Sequence, residues 1–186
     1  SLDGLSGCAG LKTLHISGLG RSRVSDLGAL SAATGLVELS LDSTPRLTDI
    51  SGLAGATGLR RLELREAAFE DVDALAGCTE LEEVNLSRCK ITSIAGLSGC
   101  RQLTSLRLQG CSRLADTTPI VSLPVLARLD LSPWGGRRRK PTDFTTLAIR
   151  PDSGGSDDLQ GRDAVAAYQD KVALVVALQA GDRATV

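Results

Sequence analysis

Apolar residues recur along the first 132 residues with a period of 22 to 25, which neither a helix nor a strand produces by itself. The pattern LxxLxL, with Val or Ile admitted, occurs at Leu11-Leu14-Ile16, Leu36-Leu39-Leu41, Leu59-Leu62-Leu64, Leu81-Val84-Leu86, Leu103-Leu106-Leu108 and Leu126-Leu129-Leu131. Successive starts lie 25, 23, 22, 22 and 23 residues apart. Ahead of each stands a ladder at intervals of three: Leu2-Leu5-Cys8, Leu27-Leu30-Ala33, Ile50-Leu53-Ala56, Val72-Leu75-Cys78, Ile94-Leu97-Cys100 and Thr117-Ile120-Leu123. One more apolar residue, Val24, Leu47, Phe69, Ile91 or Leu114, closes each link between blocks.

The last two apolar positions of LxxLxL alternate, which predicts a short strand with one face in a core. Spacing by three suits 3₁₀ or irregular turns, and about 22 residues leave little room for a long helix. No layer can bury its leucines alone, so neighbours must stack on one another. The prediction is an α/β solenoid: a curved right-handed stack with a parallel β-ladder on its concave face and short 3₁₀ or irregular convex segments. It has about six rungs over 1–132, then a loop or linker over 133–161 and a capping helix over 162–186.

The links Leu47-Thr48-Asp49-Ile50-Ser51-Gly52-Leu53 and Ile91-Thr92-Ser93-Ile94-Ala95-Gly96-Leu97 resemble those of the short leucine-rich-repeat class, of internalin and phosphatase-regulator type. The resemblance runs over roughly residues 2–132 and implies the solenoid fold and protein binding. One position departs from it. Where the family carries an asparagine whose side chain ties neighbouring backbones, this chain has Leu19, Thr44, Ala67, Cys89, Cys111 and Trp134. Local irregularity is therefore expected in the first three layers. The Ala-, Gly- and Arg-rich repeats also look like those appended to bacterial signalling NTPases of NLR-like type, which implies a ligand-sensing C-terminal region of a larger protein.

Composition narrows the chemistry. Aromatic residues make up 2% of 186, so the core must be Leu, Ile, Val and Ala in many similar layers. With 21 basic and 22 acidic residues the net charge is −1, which gives no global attraction for nucleic acid or an anionic membrane. The longest apolar run, Val172 to Leu178, is too short to span a bilayer, and no signal peptide opens the chain. These features predict a soluble, cytoplasmic protein. Five cysteines, an odd number, favour reduced thiols. Cys78 and Cys100, like Cys89 and Cys111, lie 22 residues apart at equivalent positions in adjacent layers, as buried thiols filling a core would.

His15 is the only histidine. A triad with Ser17 or Ser40 and Asp42 can be drawn, but nothing supplies a nucleophile turn or an oxyanion pocket. No phosphate loop, dinucleotide turn or HExxH helix is present. The expectation is a non-enzyme without cofactor or metal, which binds a protein through outward strand positions. Those positions are His15, Glu38, Asp42, Arg61, Glu63, Arg65, Glu83, Asn85, Arg107, Gln109, Arg128 and Asp130, with Trp134 at the C-terminal rim. Charges alternate across the rungs, Glu38 against Arg61 and Glu63 with Glu83 and Arg107, and the arginines are the expected anchors. Leu2 enters in mid-repeat, so an N-terminal domain or further repeats of the same parent chain are expected as a second partner; a free-standing scaffold is the alternative. The run Arg137-Arg138-Arg139-Lys140 reads as a solvated loop. Residues 163–180 read as a helix, begun near Asp163, presenting Val165, Tyr168, Val172, Val175 and Val176 and stopped at Gly181, although Val172 to Leu178 admits a strand. Either form would cover Leu126, Leu129 and Leu131.

Overall fold

The computed structural model describes residues 2–21, 23–131, 158–160 and 165–170. Six parallel strands follow one another across a single open sheet: β1 (Thr13–Ile16), β2 (Glu38–Leu41), β3 (Arg61–Leu64), β4 (Glu83–Asn85), β5 (Ser105–Arg107) and β6 (Arg128–Asp130). Their register repeats the sequence period. Leu14, Leu39, Leu62, Val84, Leu106 and Leu129 face one another in a continuous column, so every strand turns the same side to the core.

The ladder at intervals of three folds as predicted. Short 3₁₀ turns occupy Asp3–Leu5, Gly28–Leu30, Ser51–Leu53, Asp73–Leu75, Ala95–Leu97 and Thr118–Ser122. The first layer, the longest, holds an additional turn at Leu19–Arg21. From the second layer on, each return turn is fastened by a residue just ahead of it. Asp26, Asp49, Asp71, Ser93 and Asp116 accept from the backbone N–H two residues on, at 3.1, 2.7, 3.2, 3.1 and 2.9 Å. The N–H of Ser51, followed by its hydroxyl, holds the Asp49 carboxyl below the usual carboxylate range.

Between sheet and turns lies one core, in which Leu27, Leu53, Leu75, Leu97, Leu36, Leu59, Leu81 and Leu103 are at most 1% exposed. Each such leucine contributes about 1.5–3 kcal/mol of transfer free energy. The first layer is different. Leu2, Leu5, Leu11, Leu14, Ile16 and Leu19 are only partly buried, because nothing described packs on their outer side.

The other end is covered. Residues 165–170 are helical, with Val165 and Tyr168 in the core. Gln169 Nε2 donates to the Ile120 and Leu123 carbonyls at 2.8 Å each. Ile120, Leu123, Leu126 and Leu129 are accordingly buried, and Leu131 is partly so. The segment expected to be linker contains a strand: β7 (Asp158–Gln160) runs antiparallel to β6, with Leu159 opposite Leu129. Strand pairing uses backbone groups, so loop-type composition does not forbid it. Trp134, Arg137 to Lys140, Val172 to Leu178 and both ends of the predicted helix lie outside the described residues.

The irregularity expected in the first three layers is confined to the first, where Leu19 at the missing-asparagine position begins the additional turn Leu19–Arg21, and it does not reach the strands. β1 to β3 each run four residues in unbroken register, against three for β4 to β6. The reason lies one residue before the missing asparagine. Gly18, Ser43, Glu66, Arg88 and Gly110 all take positive φ, between 55 and 75°, so each of the first five layers leaves its strand with the same backbone twist whatever side chain follows.

The candidate recognition surface

Strand alternation leaves a second set of side chains on the outer face of the sheet. One column reads Thr13, Glu38, Arg61, Glu83, Ser105 and Arg128; the next reads His15, Ser40, Glu63, Asn85, Arg107 and Asp130. Asp42, Arg65 and Gln109 follow just beyond their strand ends. Neighbours in a column stand about 4.8 Å apart on a rigid ladder. Arg128 and Asp130 are flanked by β5 and β7 and so do not lie on a sheet edge. The central part is a shallow open depression from His15 to Arg107.

The charges on this face are zipped to one another. Arg61 Nη1 lies 2.5 Å from Glu38 and its Nε 3.7 Å from Glu83. The Glu38 carboxylate, by hydrogen bond and then by charge, pushes the Arg61 guanidinium up, with Glu83 adding to it. Arg65 stands 3.8 Å from both Asp42 and Glu63. His15 Nε2 lies 3.4 Å from Glu38, with the imidazole still 57% exposed. Glu63 does not join Glu83 and Arg107 as expected. It accepts from Ser40 Oγ at 3.3 Å and from Asn85 Nδ2 at 3.2 Å, because register places Asn85, not Glu83, opposite it. Arg107 makes no ion pair among the described residues. Exposed pairs of this kind add little to stability because water screens them, so a partner can exchange them at small cost.

A further row was not anticipated: Ser43 Oγ donates to Glu66 at 2.9 Å, and the Glu66 carboxylate pairs with Arg88. Gly18 and Gly110, at the same step of their layers, were the available signal for a turn there. Arg60 adds a pair with Glu82 at 3.2 Å.

The drawn triad is not assembled: Ser40 donates to Glu63, Asp42 faces Arg65, and His15 faces Glu38. All five thiols are free, with Cys78, Cys89 and Cys100 buried and Cys8 and Cys111 partly so. Cys89 and Cys111 stand at the missing-asparagine position, and their Sγ atoms donate to the Leu64 and Leu86 carbonyls of the preceding layers at 3.0 and 3.1 Å. The thiols thus bridge layers where an amide was expected to. Burial pushes Cys89 up to about 12 and Cys100 to about 11. Among the described residues, no group of three or more His, Cys, Asp or Glu is placed to hold a metal ion. Nor is any described helix long and apolar enough to cross a membrane.

A family model described as leucine-rich repeats, two copies, matches residues 79–122. Among solved structures, an internalin (InlF) of Listeria monocytogenes is 26% identical with a TM-score of 0.62, over 75% of this chain and 38% of its own. Internalin C2 from the same organism is 23% identical with a TM-score of 0.54, over 67% of this chain and 62% of its own. The functional domain of InlJ, also from L. monocytogenes and described as including a cysteine ladder, is 25% identical with a TM-score of 0.53, over 69% of this chain and 27% of its own. The chain thus spans between about a quarter and three fifths of the length of these proteins. No curated protein matches its sequence significantly.

Proposed function

Since the chain is built of leucine-rich repeats of the short, internalin-like class, a fold that serves as a protein–protein interaction module, we propose that the outer sheet face docks a protein partner. The observation that carries this is the in-register face itself. Six strands hold polar and charged side chains in fixed columns, open to solvent and mutually neutralised, over a core that cannot shift. Such a face binds by charge exchange and shape, with Arg61, Arg65 and Arg107, which has no ion pair among the described residues, as anchors. Gln109 extends it just beyond its strand end, and Trp134, which lies outside the described residues, belongs to the same reading.

In its finer form, the chain is the ligand-sensing C-terminal region of a larger cytoplasmic signalling protein of NLR-like type. In such an arrangement the repeats restrain an N-terminal ATPase domain of the same polypeptide. The buried thiols suit a reducing compartment. We read Cys89 and Cys111 as this chain's counterpart of the cysteine ladder described for the InlJ domain.

The test is affinity capture from the source organism's lysate, followed by chemical cross-linking and peptide mapping. Arg61→Glu, Arg65→Glu and Arg107→Glu together should abolish capture while the circular-dichroism melt stays two-state. Cross-links confined to the turn side, or a partner that survives the triple change, would remove the sheet face from the reading. The sensor form further requires that the captured partner alter the ATPase rate of the parent polypeptide.

A further inference from the structure

On a second surface, at the edge of the stack where each layer passes from strand to return turn, the residue just before the buried closing position points outward. In sequence order the closing residues are Val24, Leu47, Phe69, Ile91 and Leu114, and the residues ahead of them are Arg23, Arg46, Ala68, Lys90 and Arg113. All four cations are exposed, and Arg21 stands exposed on the same segment of the first layer. Layers repeat at about 4.8 Å, so these charges form a narrow row. Its backbone is held by interlayer hydrogen bonds: Thr48 N–H to Ser25 O at 2.9 Å, Ala68 N–H to Leu47 O at 2.8 Å and Lys90 N–H to Ala67 O at 3.2 Å.

This row differs from the sheet face in one decisive respect. There, Arg61 and Arg65 are neutralised by the chain's own carboxylates, and Arg107 is the exception. Here, among the described residues, Arg21, Arg23, Arg46 and Lys90 have no ion pair, and only Arg113 has one, reaching back two layers to Glu70 at 2.9 Å. The chain as a whole is near neutral. An uncompensated row on such a chain is a local field and not a share of a global one.

The geometry points to this edge as a docking strip for an acidic, extended segment of a protein partner, separate from the sheet face. Charge selects an acidic occupant. Width selects an extended one: three residues further along each layer, Asp26, Asp49 and Asp71 line the beginnings of the return turns, their carboxylates engaged with backbone N–H groups. Those carboxylates, with Glu70, repel anything acidic broader than a single strand. A peptide is favoured over single-stranded nucleic acid because bases need exposed rings to stack on, and the described aromatic residues, Phe69 and Tyr168, are each 2% exposed.

The experiment is fluorescence anisotropy of the full 186-residue chain with a labelled decapeptide of glutamates, beside a labelled oligothymidylate of ten nucleotides. The expected result is saturable peptide binding that weakens as salt rises. Binding should fall about tenfold or more in Arg46→Glu/Lys90→Glu, fall less in Arg46→Gln/Lys90→Gln and stay unchanged in Arg101→Glu, an exposed cation on neither surface. All these side chains are exposed, so melts matching the wild type are expected and confirm folded variants. No peptide binding at low salt overturns the proposal, as does binding unchanged by the double reversal. Tighter binding of the oligothymidylate than of the peptide overturns the choice of occupant.

Discussion

Gly52 and Gly96 are where this stack is most sensitive to a single methyl group. Both lie inside 3₁₀ turns, Ser51–Leu53 and Ala95–Leu97, and both are buried. A Cβ on Gly52 would stand 1.9 Å from the Leu27 carbonyl oxygen, 2.5 Å from its carbon and 3.0 Å from Gly28 N; one on Gly96 would stand 2.1 Å from the Val72 oxygen. These are backbone atoms of the preceding turn, so no side chain can swing aside. The two turns must part by more than an ångström, which opens the interface between their layers. Overpacking of this type costs about 1–3 kcal/mol, and the rigid neighbours place Gly52→Ala at the upper end. For a chain of this length that is a fall in Tm of roughly 2–12 °C. Gly35→Ala is the control: its Cβ meets nothing within 4 Å, and loss of glycine freedom from the unfolded chain should raise stability by about 0.4–1 kcal/mol. Urea and thermal unfolding followed by circular dichroism measure both. Because stability in a solenoid is a sum over neighbouring layers, amide exchange in Gly52→Ala should accelerate first around Leu27 to Leu53. A Tm for Gly52→Ala no lower than that of Gly35→Ala would refute the claim that glycine sets the spacing of these turns.

The Thr44 hydroxyl is fully buried without a hydrogen-bond partner among the described residues, so Thr44→Val should gain about 1 kcal/mol in urea unfolding; a loss would show that the hydroxyl is satisfied after all. Tyr168 is 2% exposed over the last layers, and Tyr168→Ala should cost about 3–5 kcal/mol, with dye binding reporting the uncovered leucines; an unchanged melt would exclude a capping role for the 165–170 helix. For the thiols the sign follows from burial: the folded values of Cys89 and Cys100, about 12 and about 11, lie above that of an unfolded thiol, about 8.5. Their contribution is therefore complete below about pH 8.5 and lost as pH rises through 9 to 11, at about 1.4 kcal/mol per pH unit for each thiol. The urea midpoint should fall across that window, and Cys89→Ala/Cys100→Ala should flatten the fall; equal slopes would refute the assignment.

Much of the fold could be read from spacing alone. Six layers, their strands and their turns sit where LxxLxL and the ladder of threes place them, because burial of identical faces leaves one register. The outward columns followed from the same alternation. Their pairings followed in part: Glu38 meets Arg61 as expected, whereas Glu63 meets Asn85, its neighbour in the same column, and Arg107 stands one strand further off. The expectation of irregular early layers is met only at Leu19, which begins an extra turn, and not in the second and third layers: there the turn depends on the residue before the missing asparagine, where serine and glutamate adopt positive φ, as arginine does in the fourth. The column Asp26, Asp49, Asp71, Ser93 and Asp116 repeats with the layers but was not read from the sequence, because its work on backbone N–H groups appears only once the turns are built. β7 rests on backbone pairing across a long separation, for which its three residues give no pattern.

The tight turns also bear on how such a chain can lengthen. Where Gly52 and Gly96 stand, the intervening layer carries Ala74, and the layer before Gly52 carries Ala29. Close and ordinary spacings therefore alternate from the second to the fifth layer, with two layers, 44 residues, from Gly52 to Gly96. Gene duplication or deletion that moves a pair of layers preserves the alternation. An event that moves one layer sets glycine beside glycine or alanine beside alanine and breaks the rhythm of the stack.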